Sequence, residues 1–374
     1  MMGTRCWLEI DLSILRKNWT MIHHLLQPGC TPVGVVKHNG YGLGAIPIAR
    51  ELERLGCPLL STAGLTEALE LRQAGIRAPI LLLGPIDPAC TSAAMEHNVI
   101  VPVVDLEHGR LMDEEARRAG GRLRTHIKVD AGLNRLGVPV LGREEEALAE
   151  IEAILALPGL TNEGLTTHIS GMMDPAYDYL SLRQLELFRQ LTRRLAQRGF
   201  SLKAHCESSL PLLAHPEYQM DYVRLTSALL GLQPGYEALG VRCAVQLKTS
   251  LLQIKQVPKG SSIGYRMTYT APRDMTIGIA GIGYGDGLSR SLTTGAKMSV
   301  RGREADVLGK LSMSFAVIDL TDIPEAALGD TVTVFGYGEG VPSVQDYAAL
   351  YGGHACEVTS LLKERIPKVY SQRS

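Results

Sequence analysis

The sequence predicts an α/β protein, a (β/α)8 TIM-type barrel followed by a C-terminal, mostly β domain. Three observations carry this expectation. From about residue 33 to 230, short apolar, β-branched runs alternate with segments of helical period, the pattern of a parallel sheet covered by helices. The runs number eight, the count that closes such a barrel. Beyond about residue 238 the helical period fades, and strand-like runs with turn signals between them take over.

Taken in order, the eight runs are "PVGVVK", "CPLLSTAG", "APILLLG", "VIVPVVD", "THIKVD", "EGLTTHIS", "LKAHCES" and "DYVRLTS". Between them, "IPIARELERLG", "LTEALELRQAG" and "YDYLSLRQLELFRQLTRRLAQRG" place apolar residues at helical spacing. An open doubly wound sheet is the alternative, but no G-x-G-x-x-G follows the first run. In the second part, "VRCAVQLKTSLLQIKQV", "SIGYRMTYTA", "MTIGIAGIGYGDG", "KMSVRGREADVLGKLSMSFAVIDL" and "DTVTVFGYG" read as strands. "SVQDYAALYGG" and "CEVTSLLKER" read as two short closing helices. The expected domains are therefore 1–238 and 239–374, with a first strand near 6–11 able to pair with the second domain.

Composition narrows the function. With 374 residues, 45% hydrophobic and 21% charged, the chain can bury a full core. Basic and acidic residues number 38 and 39, and neither sign is concentrated, which argues against nucleic acid or an anionic membrane as partner. Seven scattered cysteines read as reduced thiols and not as a disulfide framework. "MMGTRCWLEIDL" has no apolar core or small-residue cleavage site, and no run approaches a membrane span. A soluble, cytoplasmic protein is expected.

In a closed barrel, chemistry gathers at the C-terminal ends of the strands. There the sequence sets Lys37 and Tyr41 after the first run, and Lys128, Asp130 and Arg135 after the fifth. His168 follows the sixth, His205, Ser208 and Ser209 the seventh, and Arg224, Thr226 and Ser227 the eighth. Singly, each has an ordinary explanation, such as a core histidine or a rim ion pair. Together they describe an anionic, conjugated ligand held beside an amine. Pyridoxal 5'-phosphate needs such a set: a lysine amine for its aldehyde carbon, hydroxyls and backbone amides for its phosphate, and a basic residue at its ring nitrogen. An arginine there does not give up its proton, so the ring nitrogen stays largely unprotonated and the ring is a weaker electron sink. Such a site suits brief loss and return of an α-proton.

The same residues lie in motifs that resemble those of the alanine racemases, the fold-type III pyridoxal-phosphate enzymes. "VGVVKHNGYGLGA" resembles the family's lysine motif. "WLEIDLSILRKNW", "HIKVDAGLNRLGV", "EGLTTHIS", "YVRLTSALLGLQP", "IGYRMTYTA", "GIGYGDGLSR" and "CEVTSLLKERIPKVY" follow in family order along essentially the whole chain. The resemblance implies a homodimer with active sites shared between subunits. It implies that Lys37 holds the cofactor and serves one face of the substrate's α-carbon, while Tyr265 of the other subunit serves the opposite face. It further implies a hydrogen-bonded chain from Tyr265 through His168 to Arg224, with Arg224 under the pyridine ring. By the same resemblance Arg135 and the Met313 backbone bind the substrate carboxylate, and Lys128, often carbamylated in the family, orients it. Tyr41, Ser209, Thr226 and Ser227 match phosphate-binding positions, and Tyr284 matches a residue at the substrate entrance. No metal is implied.

Three departures from the family pattern stand out. Ser312-Met313-Ser314 replaces the usual Cys-Met-Asp, which removes an acidic group near the substrate entrance. Cys356 stands before Glu357 where the family usually has a tyrosine that reaches the phosphate and crowds the substrate pocket. Ser208 stands where asparagine is common. The expected activity is therefore amino-acid racemisation with alanine or a somewhat larger or polar amino acid such as serine. Two alternatives stay open. His354 and Cys356 form an H-x-C pair that suggests a metal- and pyridoxal-phosphate-dependent lyase of the D-serine dehydratase or D-threonine aldolase type, although a zinc site needs more ligands. The other is a non-catalytic pyridoxal-phosphate-binding protein, which would resemble the barrel alone.

Overall fold

The computed structural model describes residues 5–169, 176–206, 208–292 and 295–372. They form two compact units that interleave along the chain. One comprises Trp19–Gly40 and Ala45–Ala228, and the other Met1–Asn18, Tyr41–Gly44 and Leu229–Ser374. Packing thus divides the chain differently from a single cut at residue 238. The reason lies in the pairing of the first strand, β1 (Cys6–Asp11), which joins the second unit's sheet.

The first unit is a nearly closed barrel. Its parallel strands are β2 (Thr31–Val35), β3 (Leu59–Thr62), β4 (Ile80–Leu82), β5 (Val99–Val103) and β6 (Leu123–Asp130). A two-residue strand, β7 (Val138–Pro139), pairs only with the end of β6. β8 (Leu160–Thr166), β9 (Lys203–His205) and β10 (Tyr222–Leu225) complete the ring. From β2 to β6, then β8 and β9, each strand pairs with the next, and β10 returns to pair with β2. A bridge between Ser208 and Arg224 spans the seam between β9 and β10. All eight predicted runs are strands of this ring. β3, β4 and β5 are buried along their whole length, as expected of a sheet covered on both faces; β4 and β5 are wholly apolar, and β3 ends in the buried Ser61 and Thr62. The helix Asp178–Gln197 turns Ser181, Leu185, Phe188, Leu191 and Leu195 inward at the helical period.

The second unit is built on β11 (Val245–Val257). Its first half pairs antiparallel with β1, which in turn pairs in parallel with β19 (Lys368–Ser371). Register shifts at Leu247/Lys248 and Leu251/Gln253 let the same long strand serve two sets of neighbours. The short hairpin of β12 (Ser262–Ile263) and β13 (Tyr269–Thr270) follows, then β14 (Met275–Ala280), which pairs with the far half of β11. β15 (Lys297–Val300), β16 (Arg303–Asp306), β17 (Ala316–Asp319) and β18 (Thr331–Phe335) finish the sheet. The two closing helices are Val344–Ala349 and Ala355–Leu361.

Two expected strands are broken. "SIGYRMTYTA" is interrupted by a 3-10 turn at Tyr265–Met267, entered through Gly264 at φ 77° and containing left-handed Arg266 and Met267. "MTIGIAGIGYGDG" leaves the sheet after Ala280 and makes a second 3-10 turn at Tyr284–Asp286. There the Tyr284 and Gly285 N–H groups donate to the carbonyls of Ser312 and Met313 at 3.1 and 2.9 Å.

The short piece Tyr41–Gly44 belongs to the second unit because that unit clasps it. The Tyr370 hydroxyl donates to the Leu43 carbonyl at 2.8 Å. Gly42 and Gly44 have φ of +80° and +100°, and a Cβ on either would collide with the Thr359 backbone or the Tyr370 hydroxyl. Among the described residues, no helix is long and apolar enough to cross a membrane.

Candidate active site

Lys37 lies two residues beyond the end of β2, and the chain immediately turns left-handed. His38, Asn39 and Gly40 have φ/ψ near 50/54, 52/46 and 62/42°, and Tyr41 continues at φ 58°. For an L-residue this conformation costs roughly 1–2 kcal/mol. Local hydrogen bonds hold it: the Asn39 Oδ1 accepts from the Ala45 N–H at 2.9 Å, and the Gly40 N–H donates to the Val36 carbonyl at 2.9 Å.

On the neighbouring strand β10, opposite Val33 of β2, sits Arg224, buried. It donates to His205 Nδ1 at 2.7 Å and to the carbonyls of Thr167 and Cys206 at 2.9 and 3.0 Å. A guanidinium has no acceptor, so this bond puts the His205 ring proton on Nε2. That nitrogen then donates to His126 Nδ1 at 3.0 Å. Both rings are therefore held neutral. Burial drives the His126 pKa down to about 4 and that of His205 well below its ordinary value, with Arg224 adding to both. His168 Nδ1 stands 3.5 Å from the other Arg224 nitrogen. Its pKa falls to about 3, first through burial and then through Arg224, Arg135, Lys37 and Lys128.

Lys128, at the end of β6, donates to the Leu83 carbonyl at 2.6 Å. Burial lowers its pKa to about 8; Arg224, Arg135 and Lys37 push the same way, and Asp130 opposes them. Asp130 itself accepts from the N–H groups of Gly132, Asn134 and Arg135 at 2.9, 3.0 and 2.7 Å, which shapes the loop that carries Arg135. Lys128, Asp130, Arg135 and His168 line one cavity. At the seam, the Thr226 hydroxyl donates to the Val35 carbonyl at 2.9 Å, and the Thr226 N–H reaches the Ser209 hydroxyl at 3.4 Å. Ser227 is the next residue along.

The predicted residues thus fall into two sets. Lys37, Lys128, Arg135, His168, Ser209, Arg224, Thr226 and Ser227 belong to the barrel unit. Tyr41, Tyr265, Tyr284 and Met313 belong to the second unit. There Tyr265 and Met313 are 60% and 59% exposed, and Arg290 stacks over the Tyr284 ring at 5.6 Å. The buried Asp286 secures the Tyr284 turn, accepting from Arg5 at 2.6 Å, Arg365 at 3.0 Å and the Gly283 N–H at 3.0 Å. His126 escaped the sequence reading. The alternation in "THIKVD" puts His126 on the same strand face as Lys128, and that was the available signal.

Two buried histidines, His126 and His205, and the partly buried His168, all held neutral, make stability depend on pH. An unfolded histidine titrates near 6.5, so between about pH 6.5 and 3 the unfolded chain takes up protons that His168 in the folded chain refuses. Stability therefore rises with pH across that window and falls on acidification, by up to about 1.4 kcal/mol per pH unit for each such histidine. Urea unfolding from pH 7 to 5 is expected to lose stability more steeply in the wild type than in His168→Gln. Parallel curves would contradict the assignment.

The charge pattern also tests the cofactor. Lys37, Lys128, Arg135 and Arg224 all act on His168, and the nearby Asp130 carboxylate is engaged with its own loop. Such a surplus of positive charge fits a ligand that carries a phosphate and meets a substrate carboxylate. A parallel barrel with a lysine, a buried arginine and hydroxyls at its strand ends has the layout of a pyridoxal-phosphate enzyme. Comparison with known proteins narrows the class. Residues 10–234 match the alanine racemase N-terminal domain, and residues 244–370 the alanine racemase C-terminal domain. The alanine racemase of Desulforamulus reducens is 36% identical over 370 residues, covering 97% of this chain and 98% of its own. That of Desulfovibrio desulfuricans is 34% identical over 368 residues, covering 97% of each. Among solved structures, the alanine racemase of Clostridium difficile 630 superposes with a TM-score of 0.92 at 29% identity, covering 100% of this chain and 97% of its own. The enzyme from D-cycloserine-producing Streptomyces lavendulae gives 0.91 at 30%, covering 100% and 99%. The chain belongs to the alanine racemase family. It is an isomerase, an amino-acid racemase, and its cofactor is pyridoxal 5'-phosphate.

Proposed function

We propose that this protein interconverts L- and D-alanine, and a somewhat larger or polar amino acid such as serine, by a two-base mechanism in a cytoplasmic homodimer. The observation that carries this reading is the cation cluster around a neutral His168, with Arg224 bonded to a neutral His205. When bound, pyridoxal phosphate withdraws electrons from the amino acid's α-carbon and so acidifies its α-hydrogen. The chain's residues do the rest. Lys37 holds the cofactor and removes or returns the proton on one face. Tyr265 from a second copy does so on the other, because inversion needs departure and return on opposite faces.

Arg224 would donate to the cofactor's ring nitrogen and, through its high basicity, would leave that nitrogen unprotonated. His168, held neutral beside Arg224, links it to Tyr265. Arg135 and the Met313 N–H of the second copy receive the substrate carboxylate. Lys128 orients Arg135; its pKa of about 8 leaves neutral amine available for carbamylation in mildly alkaline solution. Tyr41, Ser209, Thr226 and Ser227 hold the phosphate, and Tyr284 lines the entrance.

Support for the dimer comes from the second unit. Tyr265 and Phe315 line an apolar cavity there with Leu252, Ile279 and Val317, and Tyr265, Phe315 and Leu252 are exposed. Support for the cytoplasm comes from seven cysteines that are all free thiols. The lyase and carrier alternatives gain nothing from the comparisons, which match racemase domains in both units.

Cys356 tests the substrate range. It lies in the first turn of the helix Ala355–Leu361; by the family resemblance a thiol there stands in place of a phenol ring, which would leave a roomier pocket. Cys356→Tyr is expected to lower the ratio of kcat/KM for serine over alanine by about tenfold or more, the scale of one methylene's worth of pocket. An unchanged ratio would remove the pocket argument.

A further inference from the structure

The left-handed turn after Lys37 has a second brace, which comes from another strand's loop. Glu67 lies in the first turn of the helix Leu65–Gln73, which follows β3. One carboxylate oxygen accepts from the His38 N–H at 2.6 Å, and the other accepts from the Ala63 N–H at 2.7 Å. β2 and β3 pair in parallel as far as Val35 and Ser61, and the Val36 N–H adds one more bond to the Ser61 carbonyl at 2.8 Å. Beyond that point the strands diverge into loops, and the Glu67 carboxylate takes over the role of the ladder. It ties the exit of β2 to the exit of β3 at the residue next to Lys37.

His38 is also the first left-handed residue of the turn. A run of such residues persists only where surrounding structure over-determines it. Hydrogen bonds from backbone N–H groups to an ionised carboxylate are roughly twice as strong as neutral ones, which suits the task. Glu67 is partly shielded, its side chain 24% exposed, while the His38 ring is 70% exposed and points its Nδ1 no closer than 4.0 Å to the carboxylate. The backbone bond is thus the tight contact. We propose that Glu67 is a positioning residue for Lys37, fixing the turn that sets where the lysine amine stands.

This inference rests on Lys37 being the cofactor's lysine, and the experiment separates the two claims. On the holoenzyme, Glu67→Ala removes both acceptors, while Glu67→Gln keeps an oxygen for His38. The alanine variant is expected to lower kcat in both directions by about tenfold or more with KM within about twofold, since small misplacements of a reacting group cost that much. The visible circular dichroism of the bound cofactor, which reports its pose, should change in the alanine variant. Glu67→Gln should restore most of both. A thermal midpoint for each variant identifies a lesion in folding: if Glu67→Ala does not fold, the glutamine variant alone must show a smaller loss of the same kind. Wild-type kcat and dichroism in Glu67→Ala, or no rescue by glutamine, overturn the positioning role. Independently, borohydride should fix the cofactor to the wild type and not to Lys37→Ala; fixation in that variant would overturn the assignment of Lys37 itself.

Discussion

Replacing Lys37 by alanine is expected to abolish racemisation and the covalent retention of the cofactor together. On the proposed mechanism the two losses share a cause, because the same amine would hold the cofactor and move a proton. Removing one proton-transfer group costs about 10²–10⁴-fold, and losing the attachment adds to that, so turnover should fall by more than about 10³-fold. Folding should survive. Lys37 stands past the end of β2, and the turn behind it is held by Asn39, Val36 and Glu67, none of which depends on the lysine side chain. The measurement is turnover of each enantiomer of alanine, alongside mass analysis after borohydride reduction. Residual turnover within about tenfold of wild type would exclude Lys37 as a base.

Tyr265→Phe should produce the other large effect, with a different signature. On the proposed two-base mechanism inversion needs both groups, so racemisation should fall by about 10²–10⁴-fold from either enantiomer. Exchange of the α-proton with solvent need not fall equally. The enantiomer whose proton faces Lys37 still meets an intact base and should keep exchanging with retention of configuration. The enantiomer whose proton faces the missing hydroxyl should stop. Tyr265 is 60% exposed in its own chain, so removing its hydroxyl costs little stability. Exchange lost equally from both enantiomers would point to a general lesion and not to a missing base.

Much of this was legible in the sequence, for physical reasons. Buried parallel strands are rich in apolar and β-branched residues, so all eight barrel strands announced themselves, and the residues at or just past their ends named Lys37, His168 and Arg224. That the first strand pairs with the second domain was legible, but not its partner, since Leu8 and Leu247 lie far apart in the chain and strand pairing leaves no local mark. The capture of Tyr41–Gly44 by Tyr370 and Thr359 was hidden for the same reason.

Side-chain networks were least visible. His126 reads as an ordinary apolar-strand histidine until His205 and Arg224 fix its tautomer. Glu67 sits in a helix that also carries Glu70, and nothing in "LTEALELRQAG" tells which carboxylate turns back to the β2 exit. The breaks at Tyr265–Met267 and Tyr284–Asp286 were signalled by their glycines, but β-branched neighbours outweighed them.

The most direct test of the account is α-proton exchange in heavy water, followed by proton NMR on the wild-type holoenzyme with single enantiomers of alanine and serine. The account predicts that deuterium enters at the α-carbon of either enantiomer and that inversion accompanies it, with both amino acids responding. Bound cofactor with no exchange, or exchange that never inverts, would contradict two bases acting on opposite faces.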